Sequence, residues 1–161
     1  MPGRPNNGGG EGTTYVPSSQ FEPARLRRFC SLNAILYLCS AAMVAFFRSL
    51  GAKLVDDGTM PVAAPLLAQE QLCAASLVVL AGLLLWARGA ISLDPAARER
   101  MARMGRLARV LALVIAAICA AGVAVVLLLP ITDAKLPTMS VTVLVIVSAL
   151  YTYAGMAKLP R

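Results

Sequence analysis

Residues Val110–Leu129 read VLALVIAAICAAGVAVVLLL, twenty positions with neither a charge nor a proline. An α-helix rises about 1.5 Å per residue, so a run of this length crosses the ~30 Å hydrocarbon core of a bilayer. In lipid, only a helix or a closed barrel satisfies its own backbone polar groups. The run lacks the period-two alternation of a barrel strand, so it is read as a transmembrane helix.

Three further apolar runs share this reading: Phe29–Phe47, Leu66–Ala87 and Thr138–Ala157. The fourth run meets the length requirement outright. The first two are shorter between charges, and Arg48 and Glu70 are expected to reach from them toward the headgroups. Turn-forming residues separate the runs: Asp56-Asp57-Gly58 with Pro61 and Pro65, and Pro130 with Pro137. Asp94-Pro95 has the form of an N-cap followed by proline at the first helical position, opening a helical connector over 94–109. The expected fold is all-α, an integral membrane four-helix transmembrane bundle over residues 29–161.

Residues 1–28 are set apart. Glycine, proline, asparagine and serine dominate as far as Pro23, the composition of a disordered tail, which ends in the basic juxtamembrane cluster Arg25, Arg27 and Arg28. The tail has no secretory-signal pattern and too little arginine for a mitochondrial presequence. Neither end carries a lipidation motif.

Composition agrees with a membrane. Of 161 residues, 58% are hydrophobic and 14% charged, with mean hydropathy +0.72; a soluble domain has about 25% charged residues. A net charge of +7 is compatible with nucleic acid binding, but the apolar runs redirect it to a bilayer, and no nucleic acid partner is expected. Cys30, Cys39, Cys73 and Cys119 lie in or beside apolar runs without a CxxC pair, and read as small apolar residues.

The basic residues are unevenly spread. Four spans place the tail, the middle connector and the C-terminus on one side. That side holds Arg4, Arg25, Arg27, Arg28, Arg88, Arg98, Arg100, Arg103, Arg106, Arg109, Lys158 and Arg161, whereas the other holds Arg48, Lys53 and Lys135. The positive-inside rule puts the richer side, with both termini, in the cytosol or its equivalent. Arg25-Leu26-Arg27 and Arg98-Glu99-Arg100 match an RxR retention pattern, which tilts the expectation toward an endomembrane. Around a helix, Ala97, Met101, Met104, Gly105, Ala108 and Leu111 share one face, and the connector arginines cover the other. That basic amphipathic surface is expected to set topology and to meet anionic lipid headgroups, either lying on the membrane or continuing the third span.

In the third span Ala112, Ala116, Ala120 and Ala124 recur every four residues, a spacing that lets helices approach closely. Ala117, Ala121 and Gly122 broaden that ridge, with Ala41, Ala45, Ala149 and Ala154-Gly155 as matching surfaces. Asn33, Thr142 and Ser148 are candidates for bonds between helices. Tyr37, Trp86, Tyr151 and Tyr153 lie within or near span ends, where aromatic belts form.

Motifs for chemistry are scarce. The chain has no histidine, which excludes histidine-ligated metal and haem and the commonest general base. There is no P-loop, HExxH or nucleophile elbow. No catalytic residue, cofactor or metal site is therefore expected, and the chain is read as non-enzymatic. Glu70, flanked by Gln69 and Gln71 about one turn into the second span, is the one acid near the membrane interior and the one candidate polar site. The expected function is a small membrane scaffold or accessory subunit, docking on other membrane subunits through its small-residue faces and basic connector. The alternative is a transporter or channel component built on Glu70 and the span polar groups.

Overall fold

The computed structural model describes residues 23–56, 64–91, 97–128 and 135–159. They form four helices: α1, Pro23–Asp56; α2, Ala64–Ala90; α3, Arg98–Leu128; and α4, Lys135–Met156. All four are long and apolar enough to cross a membrane. The tail ahead of Pro23, the Asp57-Gly58-Pro61 turn and the Asp94-Pro95 cap lie outside the described residues.

Helix direction follows from chain length. Residues 57–63 reach at most about 25 Å, too short to return along the ~40 Å of α2, so α1 and α2, which pack side by side, must run antiparallel. The same holds for the later joins. Contacts agree: Arg27 at the start of α1 bonds Ile91 beyond the end of α2, and Arg48 late in α1 bonds Leu67 in the first turn of α2. One end of the bundle therefore gathers the start of α1, the end of α2, the start of α3 and the end of α4.

The buried positions explain how the helices are arranged. In α1 they are Leu26, Cys30, Ala34, Tyr37, Ala41 and Val44, a single stripe at steps of three and four. Comparable stripes run along α3 and α4. In α2 the buried arc is wider and takes in Leu66, Gln69, Cys73, Ser76, Leu77, Leu80 and Leu83. A narrow stripe serves one seam, whereas a wide arc serves a central helix. Accordingly, α2 packs on all three others, α3 lies mainly on α4, and α1 meets α4 only narrowly.

Small side chains share the interior with leucine, isoleucine and methionine, while many large apolar side chains face outward. Alanine, cysteine, threonine, serine and glycine supply much of the interior, while Leu32, Ile35, Phe46, Phe47, Val79, Val114, Ile118 and Leu144 are exposed. Small interior residues let helices pack by close contact, and so large an apolar exterior calls for an apolar surround.

Of the two courses open to the connector, the structure shows the second: it continues the third span, and α3 runs unbroken from Arg98 to Leu128. Its length is about 46 Å, about 16 Å more than a hydrocarbon core is thick. Met101, Met104, Gly105 and Ala108 are buried on that overhang, and Leu26, Ile91, Met156 and Leu159 close the core with them. Pro137, expected in the preceding connection, sits in the first turn of α4, where its missing N–H costs no helical bond.

Candidate functional site

Three features bear on function: a basic end, a buried polar seam and a small-residue face. At the basic end, Arg25, Arg27 and Arg28 of α1 come together with Arg88 of α2, the arginines of α3 and Lys158 after α4. These cations do different work. Arg27 donates from Nε to the Ile91 carbonyl at 3.1 Å and from Nη2 to the same oxygen, so it caps the negative end of the α2 dipole. Arg109 donates from Nε to Gly105 in its own helix at 3.1 Å. Arg103 pairs with Glu99 at 2.6 Å across one exposed turn. Arg28, Arg98, Arg100 and Arg106 are exposed, and so is Arg25, which also has a partner.

The polar seam starts toward the opposite end, where Gln69, Glu70, Cys73 and Ser76 of α2 face α3 and α4. Gln69, Cys73 and Ser76 repeat at steps of four and three, which puts them on one helical face. Gln69 donates from Nε2 to the Thr142 hydroxyl at 3.4 Å, and its amide lies 4.0 Å from the Cys73 sulfur. The Thr142 hydroxyl gives its proton to the Thr138 carbonyl at 2.7 Å, so the Cys73 thiol, 3.4 Å away, donates to Thr142. Glu70 is half-buried and accepts from the Thr138 hydroxyl at 3.0 Å. Ser76 meets Cys119 of α3 at 3.9 Å.

Further along α4 the seam resumes. The Tyr37 hydroxyl donates to the Ser148 carbonyl at 2.9 Å and lies 3.1 Å from the Thr152 hydroxyl, which bonds the same carbonyl at 2.9 Å. Among the described residues, no buried side-chain nitrogen or oxygen lacks a partner. The interior is therefore cross-braced by bonds worth about 0.6 kcal/mol each in membrane bundles, with an upper range near ~1.7 kcal/mol.

The alanine ridge of α3 divides. Ala112 and Ala116 are buried against the bundle, whereas Ala120 and Ala124 are exposed together with Ala117 and Ala121. Only 17% of the most apolar window of α3 is buried, against 44% in α2, so α3 is the helix most open on its outside.

Several residues differ in place or role from the sequence expectation. Asn33 bonds Phe29 of its own helix at 2.8 Å rather than a neighbouring helix. Tyr37 is buried in the bundle, while Trp86, Tyr151 and Tyr153 are exposed. Cys39 is exposed, and the other three cysteines are buried. Nothing in the local sequence marks Gln69, Thr138, Ser76 or Thr152 as a contact between helices. Their spacing puts them on helix faces, but only the packed bundle shows which faces meet. No group of three or more potential metal ligands occurs among the described residues.

Comparison of the chain with models of known families, with curated proteins and with solved structures finds no match.

Proposed function

We propose that this chain is a small multi-pass membrane scaffold or accessory subunit of a larger membrane complex. Its four helices cross an endomembrane bilayer, with both termini and the basic end on the cytosolic side. The observation that carries the docking role is the exposed small-residue face Ala117, Ala120, Ala121 and Ala124 on the least enclosed helix. Alanines there let a partner's transmembrane helix approach to backbone distance, where dispersion contacts hold it. The interior supports the same reading, because its polar groups are spent on bonds within the bundle.

The test is isolation of the complex in mild detergent with the paired substitution Ala120→Leu and Ala124→Leu. Both positions are exposed, so the purified chain keeps its melting temperature while co-purifying membrane subunits are lost. Retention of those subunits by the double variant overturns the reading. A second reading, a transporter or channel component, is favoured by one contact, the half-buried Glu70 carboxylate joined to Thr138. Glu70→Gln separates the two: loss of a flux with the complex intact favours transport.

A further inference from the structure

On every helix the charge-free stretch ends, at the same end of the bundle, on a basic residue. These are Arg28 on α1, Arg88 on α2, Arg109 on α3 and Lys158 just beyond α4. Arg28, Arg88 and Lys158 are exposed and Arg109 is half-buried. Arg106, also exposed, lies one turn beyond Arg109, about 5 Å along the axis. The polar layer on each side of a bilayer is about 5–8 Å deep, so with the charge-free stretches spanning the hydrocarbon all five cations would fall within it. Among the described residues, the only acid at this end is Glu99. It stands about 15 Å above Arg109 and is paired with Arg103.

We propose that Arg28, Arg88, Arg106, Arg109 and Lys158 form a girdle that binds anionic phospholipid headgroups. Two features favour lipid over an acidic protein segment. The cations sit at headgroup depth, and they are distributed over all four helices, whereas a docked protein covers one side. The girdle is also held in place, because Leu26, Ile91, Met101, Met104, Met156 and Leu159 pack the helix ends together behind it. Phosphate oxygens accept bidentate bonds from arginine and point-charge contacts from lysine. The inference rests on the membrane-spanning part of the function proposed above and not on the docking face.

The test uses the full chain in nanodiscs of mixed phosphatidylcholine and phosphatidylserine, with retained lipid measured by native mass spectrometry. The wild-type chain is expected to keep phosphatidylserine in excess of its bulk share. Single replacements Arg28→Gln, Arg88→Gln, Arg106→Gln and Lys158→Gln each reduce that excess, by up to about fivefold. Combined Arg28→Lys, Arg88→Lys and Arg106→Lys retains it, which separates charge from folding. The excess also weakens as salt is raised. No phosphatidylserine excess in the wild type, an excess unaffected by all four glutamine variants, or one insensitive to salt overturns the proposal. Loss of co-purifying subunits from the Ala120 and Ala124 variant is read in a separate preparation, so either idea can fail alone.

Discussion

Gly122 is where a side chain from one helix lies on the backbone of another. A Cβ built there would overlap the amide of Gln69. Gly122→Ala therefore forces Gln69 out of its contacts with Thr142 and Cys73, a combined overpacking and lost-bond cost of about 1–3 kcal/mol. Thermal unfolding in a neutral detergent is expected to show a clear drop in melting temperature. Gly82→Ala is the control: a Cβ there meets nothing within 4 Å, so it should not destabilise the chain and gains up to about 1 kcal/mol from helix propensity. Gly155 stands in a similar relation to the Phe29 ring. Neither role was legible in the sequence, where Gly122 merely widened an alanine ridge. Nothing local marks Gln69 as the group that fills the space above it.

Helices were more legible than the contacts between them. The four apolar runs correspond to α1–α4 because length and hydropathy are local properties of the chain. The ends were less clear, since charges at Arg25, Arg27, Arg28 and Lys53 do not stop a helix, and α1 continues through them to Asp56. The fate of the connector was open for a related reason. Its amphipathic pattern fits both a membrane surface and a neighbouring helix end, and the burial of Met101, Met104 and Ala108, with Gly105 packed against Leu159, decides for the latter. A similar ambiguity surrounds Arg27, one of three clustered arginines, which reaches the end of α2. Arg27→Gln is expected to lower stability by about 0.5–1 kcal/mol through loss of the α2 cap, whereas Arg28→Gln leaves it unchanged in neutral detergent. Unfolding curves of the two single variants check this, and equal effects would count against capping.

The bundle as a body is electrically lopsided. The end with Arg25, Arg27, Arg28, Arg88, Arg98, Arg100, Arg103, Arg106, Arg109 and Lys158 opposes one with Arg48, Lys53 and Lys135. Single cysteines at Ser18 and Asp94, in a background without the native four, should be modified by an impermeant reagent from the cytosolic side. A cysteine at Asp57 should react from the opposite side. Labelling of Ser18 and Asp94 from different compartments contradicts four crossings. The same polarity has a mechanical side. Along α2, Glu70, held by Thr138, and Arg88 bound the charge-free stretch and stand eighteen residues or about 27 Å apart. Helix α2 is clasped by three neighbours and cannot lean over independently to hide extra length. With the four crossings proposed above, the molecule would act as a gauge of fixed bore: a bilayer thicker than this spacing would have to dimple around it or draw a carboxylate into oil.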